Sequence, residues 1–186
     1  MSGKLIEVRF HGRGGQGAWT ASLLLAQAGL KEKKFIQSFP TFGPERAGAP
    51  ILAFTRISDE PIRLHSSVYE PDVVVVLDPT LLGPSVVEGI KKDTKLIVNT
   101  SQTPADVKEK LGVERNETWV VDATDLAMKL LGRPITNTAM LGAVIRASGM
   151  VKLESVLGVA KERFTGKVME QNLELINAAY KEAVRG

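Results

Sequence analysis

Gly12-Arg13-Gly14-Gly15-Gln16-Gly17 is the stretch of this sequence best suited to chemistry. Gly12, Gly14 and Gly17 have the spacing of a dinucleotide fingerprint. Glycine at such positions permits positive φ and lets a phosphate come close to the backbone. The stretch follows a strand-like run, Leu5 to Phe10, and precedes a helix-like run, Ala18 to Lys33. Strand, turn and helix in that order aim bare N–H groups and the positive end of a helix dipole at an anion. Arg13 adds a fixed charge with a planar donor fork, and Gln16 a polar contact. The other reading is a tight strand-to-helix turn that binds nothing. An NAD site would want an acid at the end of the second strand, and Phe35-Ile36-Gln37-Ser38-Phe39 has none.

A second stretch, Pro40 to Pro50, holds three prolines and two glycines and must be a loop. It follows the second strand, so it is expected at the same edge as the glycine turn, where phosphate and substrate sites gather. Glu45 and Arg46 are the charges it can present, either to a ligand or as a solvated ion pair. Asp78 stands at the carboxyl end of an apolar run, as a functional acid or as the cap of the next turn. His65 reads as a strand-edge or loop residue, and Trp19 as core or interface.

The elements that would position these residues alternate. After the first helix and second strand, Ile51–Ile57 and Ile62–His65 read as two strands joined through Ser58-Asp59-Glu60-Pro61, an antiparallel hairpin. Val73–Asp78 is a β-branched run typical of a strand buried on both faces. Lys95–Asn99 and Thr118–Asp122 are further strands, with helical pieces near Pro84–Lys91 and Pro104–Leu111. Asn137 or Thr138 can cap a helix running to Arg146, whose Ala139, Gly142 and Ala143 allow close packing. From residue 151 the pattern is helical, with one face on Leu153, Val156, Leu157, Ala160 and Phe164 and another on Met169, Leu173, Ile176, Tyr180 and Ala183. The expected fold is α/β, a three-layer α/β/α arrangement with a mixed, mostly parallel sheet and a helical C-terminal third. Residues 1–186 read as one domain, the α/β core over about 1–150 and C-terminal helices over about 151–186.

Composition narrows the function. The chain of 186 residues carries 24 basic and 21 acidic side chains, an excess too small and dispersed for a nucleic-acid groove. There is no cysteine, hence no disulfide, no thiolate-held cluster and no thiol nucleophile. Two histidines, His11 and His65, do not suggest a zinc site. No signal-type segment or membrane-length apolar run stands out, so a cytoplasmic setting is expected. No catalytic residue and no metal ligand set is evident.

Taken together, the glycine turn, Phe39 to Pro50, Glu70 to Asp78 and Asn137 to Ala143 closely resemble the gamma subunit of the 2-oxoacid:ferredoxin oxidoreductases, the pyruvate:ferredoxin oxidoreductase family. The resemblance spans nearly the whole chain; Ala47 stands where many members carry a second polar or basic residue. It implies a subunit of a complex that converts a 2-oxoacid and CoA to acyl-CoA and CO2 while reducing ferredoxin. It further implies alpha, beta and delta (ferredoxin-like) partner subunits, with thiamine diphosphate and [4Fe-4S] clusters held there and not in this chain. The gamma unit is associated with the CoA end of the reaction. Gly12, Arg13, Gly14, Gly15, Gln16 and Gly17 are then the expected CoA-phosphate contacts, with Glu45 and Arg46 serving CoA or a subunit interface. The alternative is a non-catalytic assembly module of the same complex with no ligand of its own.

Overall fold

The structure, a computed structural model, describes residues 5–41 and 48–186. The chain begins with β1 (Ile6–Arg13), a turn, and α1 (Ala18–Lys31), followed by β2 (Phe35–Pro40) and β3 (Pro50–Ser58). Then come β4 (Val73–Val76), a short 3-10 turn at Pro79–Leu81, α2 (Pro84–Val87), β5 (Lys95–Asn99), α3 (Pro104–Leu111) and β6 (Thr118–Val121). Four helices follow, α4 (Ala123–Leu131), α5 (Asn137–Ser148), α6 (Leu153–Arg163) and α7 (Gly166–Glu182), and a last strand, β7 (Val184–Arg185).

The sheet runs β2-β3-β1-β4-β5-β6-β7 among the described residues. The pairs β1–β4, β4–β5 and β5–β6 are parallel; β1–β3, β2–β3 and β6–β7 are antiparallel. Only β3 and β7 therefore run against the rest, and the sheet is mixed and mostly parallel, as expected. The source of the mixing differs from the sequence reading. Ile62–His65 is irregular, with Arg63, Leu64 and His65 exposed, and is not a strand. β3 already has β1 on one edge and β2 on the other, so a third partner has no free N–H and C=O row to join. The antiparallel partner of β3 is instead β2, reached through the proline-rich loop.

The helix near Pro84–Lys91 is likewise shorter than expected. It ends at Val87, and Glu88 is extended. A buried cation fixes that ending: Arg9 Nη2 donates to the carbonyls of Val86 (3.0 Å) and Glu88 (2.7 Å). A helix-like segment at α4 and the final two-residue strand β7 were not anticipated.

Side chains of β4 alternate between two cores. Val73 and Val75 join the larger one, while Val74 and Val76 face the smaller one with Val86, Val98 and Val107. All four are at most 3% exposed, each worth roughly 1.5–3 kcal/mol of burial. The larger core lies under α1, α4, α5, α6 and α7, whereas α2 and α3 cover the other face. The helical C-terminal third thus packs on this chain's own sheet. Of the two faces read from sequence, Val156, Ala160 and Ile176 are in that core, with Leu153, Leu157, Phe164, Leu173, Tyr180 and Ala183 packed around it. α5 and α7 cross closely at Gly142, where a Cβ would overlap the carbonyl of Ile176. α1 buries Ala21, Leu24, Leu25 and Ala28 but leaves Trp19, Leu23 and Leu30 exposed, so Trp19 is not a core residue of this chain.

Candidate functional site

β1 extends through Gly12 and Arg13 because β3 continues beside it, pairing Gly12 with Ile51 and Arg13 with Pro50. The turn is therefore Gly14 to Gln16. Gly12 is required by contact: a Cβ there would sit 2.9 Å from Ala18 Cβ, so the helix could not start so close to the strand. Gly17, the N-cap of α1, takes φ 78° and ψ 29°, a left-handed conformation that suits glycine. The turn leads α1 out at the carboxyl end of β1.

Part of the turn's hydrogen-bonding capacity is already engaged. Gly14 N–H donates to Ala49 O (2.9 Å) and Gln16 N–H to Arg13 O (3.0 Å). Gly48 N–H donates in turn to Gly14 O (3.1 Å), so the end of the proline-rich loop is strapped to the glycine turn. That loop does reach the expected edge. Gln16 folds back, its Oε1 accepting from Arg13 N–H at 2.8 Å. The start of α1 has no side-chain cap and no acid in its first turn, while the Asn137 side chain packs against Gly17 and Ala18 is buried. An α-helix leaves its first N–H groups unpaired within the helix. Gly15 is exposed, with φ 95° and nothing within 4 Å of a Cβ position.

Asp78 organises the opposite wall. Its Oδ2 lies 3.2 Å from Arg13 Nε and accepts from Gln16 Nε2 at 2.7 Å. Its Oδ1 accepts from Thr80 N–H (2.9 Å) and Thr80 Oγ1 (2.6 Å). The capping role expected for Asp78 is real, and the same carboxylate also holds the glycine turn. Burial would raise its pKa; the hydrogen bonds from Thr80 and Gln16 and the charge of Arg13 outweigh that and hold it below the ordinary carboxylate value. Arg13 makes three further contacts, Nη2 and Nε donating to Thr80 Oγ1 (2.8 and 3.3 Å) and Nη1 to Gly48 O (3.1 Å).

Between these walls lies a crevice of ≈ 440 Å³ lined by Gly15, Gln16, Asp78, Asn99, Thr124 and Thr136, among others. From β1 the chain crosses over through α1 to β2 and β3 on one side, while β4, β5 and β6 lie on the other. A doubly wound sheet opens a crevice at the carboxyl ends of such strands. Asn99 braces it: Nδ2 donates to Leu77 O (2.7 Å) and Thr124 Oγ1 (2.9 Å), and Oδ1 accepts from Thr124 N–H.

Of the predicted residues Gly15 and Gln16 line the crevice, Arg13 bridges to Asp78 beside it, and Gly12 is buried in the sheet; Glu45 and Arg46 lie outside the described residues. Neither Asn137 nor Thr138 caps α5. The N-cap is Thr136, without a side-chain cap, and Asn137 Oδ1 instead accepts the N–H of Thr138. Sequence reasoning missed Asn99 and Thr124, and missed that Arg13 and Gln16 converge on Asp78; the acid at a strand's end was the available signal. Among the described residues no group of three or more His, Cys, Asp or Glu is placed to hold a metal. His11 is buried below the turn. Its Nε2 accepts from Arg9 Nε at 3.0 Å, and burial together with the Arg9 charge pushes its pKa down to about 3.

Comparison with known proteins adds the following. The pyruvate ferredoxin/flavodoxin oxidoreductase family pattern matches residues 7–182. The common gamma subunit of the pyruvate/ketoisovalerate oxidoreductases of Thermococcus kodakarensis is 53% identical, over 97% of this chain and 98% of that one. The crystal structure of the pyruvate oxidoreductase subunit PORC of Thermotoga maritima superposes with a TM-score of 0.91 at 43% identity, covering 98% of this chain and 99% of that one. The 2-oxoglutarate:ferredoxin oxidoreductase of Magnetococcus marinus, solved with 2-oxoglutarate, coenzyme A and succinyl-CoA bound, shares the fold. There the TM-score is 0.67 at 18% identity, over 97% of this chain and 31% of that one.

Proposed function

This chain belongs to the pyruvate ferredoxin/flavodoxin oxidoreductase family as a gamma-type subunit, and from that premise we propose that its glycine turn contributes to binding coenzyme A. In this reading the complex oxidises a 2-oxoacid with CoA to acyl-CoA and CO2 and passes electrons to ferredoxin. Thiamine diphosphate and [4Fe-4S] clusters belong to alpha, beta and delta partners, in a cytoplasmic hetero-oligomer. Residues 1–186 act as one gamma-type unit, whose own contribution is to hold and orient the thiol substrate.

The observation that carries this reading is the glycine turn at the strand crevice, lined by Gly15 and Gln16, leading into a helix whose start has Gly17 left-handed, no side-chain cap and no acid in the first turn. Such a helix end favours a phosphate by dipole and by free N–H groups. Arg13 contributes less charge than its type suggests, because Asp78 pairs with it. Glu45 and Arg46 stay as second contacts from the loop strapped to Gly14.

One observation favours the assembly-module alternative. The Gly14 and Gln16 amides already donate to this chain's own carbonyls, as a purely structural turn would require. Placing a charge at Gly15 separates the readings, since a Cβ there meets no atom within 4 Å and the strain of φ 95° is common to the two variants compared. Calorimetry on the native complex carrying Gly15→Asp or Gly15→Asn compares two side chains of one shape. Ligand handling predicts a CoA dissociation constant about tenfold higher for the aspartate than for the asparagine. Equal constants would leave only the assembly role.

A further inference from the structure

α1 turns most of its surface inward, and what it leaves outside is apolar. Its exposed positions from Trp19 to Leu30 are Trp19, Leu23, Gln27 and Leu30, at steps of four, four and three. None of the four is charged. Trp19 is 52% and Leu30 60% exposed. Residues at these steps are neighbours on one face of a helix, so they form a single ridge about 16 Å long. The outer face of a surface helix is ordinarily polar and charged. A contiguous apolar strip in that place marks a contact with another molecule.

Both ends of the ridge are cationic. Beside Trp19, Thr20 lines a cavity together with Arg133, Ile135, Arg163 and Val168. Neither guanidinium has a hydrogen-bond or ion-pair partner, and no acidic side chain lines that cavity, among the described residues. Beyond Leu30 comes Lys33, exposed and equally without a side-chain partner among those residues. The acids beside these cations in the sequence are engaged elsewhere. Glu162 pairs with Lys31 at 2.5 Å, and Glu32 Oε1 accepts from Lys152 N–H and Ser155 Oγ at the start of α6.

These charges select what can lie on the ridge. Two copies of this chain packed ridge to ridge would set cation against cation whether parallel or antiparallel, because both ends carry the same sign. Like charges facing each other across an interface are costly. A partner with carboxylates at both ends and apolar side chains between them meets both demands. Side chains four residues apart form the ridge that fits the groove of a second helix, and Trp and Arg are the usual anchors of such contacts.

We infer that the exposed face of α1 docks an amphipathic helix of another subunit of the complex, about three turns long or more. Its apolar stripe lies on Trp19, Leu23 and Leu30, with acidic residues beside Arg133 and Arg163 at one end and Lys33 at the other. The inference rests on the chain's place as a gamma-type subunit and not on the coenzyme A reading of the glycine turn.

The test uses the native complex, with photoreactive p-benzoylphenylalanine in place of Trp19 and the cross-linked peptide identified by mass spectrometry. The expected product joins this chain to a helix of a different subunit that carries acidic residues at both ends. A product joining two copies of this chain, or no product, would overturn the inference. Leu23→Glu, Lys33→Glu and Arg133→Glu/Arg163→Glu should each raise the dissociation constant of this subunit from the complex about tenfold or more. Lys110→Glu on α3, across the sheet, should leave it unchanged. Assembly that ignores the first three changes, or weakens as much with the fourth, would also overturn the inference. All the substituted side chains are exposed, so folding should be retained, and a melting curve verifies it. The comparison of Gly15→Asp with Gly15→Asn decides the role of the turn independently.

Discussion

Arg13 at the end of β1 and Asp78 just beyond β4 face each other at 3.2 Å, closing a bridge across the crevice between two parallel strands. Gln16 completes it, accepting from the Arg13 N–H and donating to the same carboxylate oxygen. The glycine turn is therefore held in shape from the neighbouring strand and not by its own backbone alone.

Replacing Asp78 by asparagine should loosen that turn. If the amide oxygen keeps the Thr80 contacts, its NH2 faces Arg13 and Gln16, both donors, and Gln16 must release one of its partners. The expected cost is about 1–2 kcal/mol in urea melts, discounted for partial exposure of the pair. Hydrogen exchange of the amides from Arg13 to Gly17 should accelerate. Unchanged exchange there would refute the bracing role of Asp78.

Stability should fall below neutral pH through His11. Its folded pKa, about 3, lies below the unfolded value near 6.5. The unfolded chain then binds the proton first. Stability is fully present above about pH 6.5 and is lost as pH falls toward 3, at about 1.4 kcal/mol per unit. Between about pH 7.5 and pH 5 the loss is about 2 kcal/mol. In His11→Gln, where the amide oxygen can accept from Arg9 and does not titrate, this component should vanish. Asp78 acts lower: its depressed pKa contributes stability above its unfolded value of about 3.9, lost as pH drops through the folded one.

The α5–α7 crossing depends on one missing methyl group. Gly142→Ala places a Cβ against the Ile176 carbonyl, which is backbone and cannot swing away. Overpacking of this kind costs about 1–3 kcal/mol. A thermal melt should show the loss, while Gly112→Ala, at a helix end with nothing within 4 Å, meets only the strain of its φ of 66°. Equal or smaller destabilisation by Gly142→Ala would contradict the close packing.

Arg56, 1% exposed, donates to Glu7 Oε1 (2.7 Å), Gln37 Oε1 (3.2 Å) and Ser67 O (3.3 Å). Arg56→Met leaves the Glu7 carboxylate without its cation and should cost about 3 kcal/mol. Glu7→Gln/Arg56→Met should recover part of that, because no unpaired charge is left. A double variant as unstable as the sum of the singles would show that the pair is not coupled.

Much of this was legible locally. The strand-turn-helix around Gly12 to Gly17, the buried run Val73–Val76 and the helix positions facing the larger core follow from periods of two and 3.6 residues and from glycine spacing. These are properties of neighbours along the chain. The false hairpin at Ile62–His65 shows the limit: the segment has strand chemistry, but strand formation also needs a free edge, and β2 and β1 occupy both edges of β3.

By itself the sequence determined the family, the α/β class and the place of the glycine turn, because each is written in residue types at short spacing. Only the tertiary structure decided which turn amides are engaged, that Asp78 neutralises Arg13, and that Arg133 and Arg163 line one cavity with Asn137. Those outcomes depend on which strands lie side by side and where helix ends converge, through Coulomb and hydrogen-bond forces that act over a few ångströms of space whatever the separation along the chain.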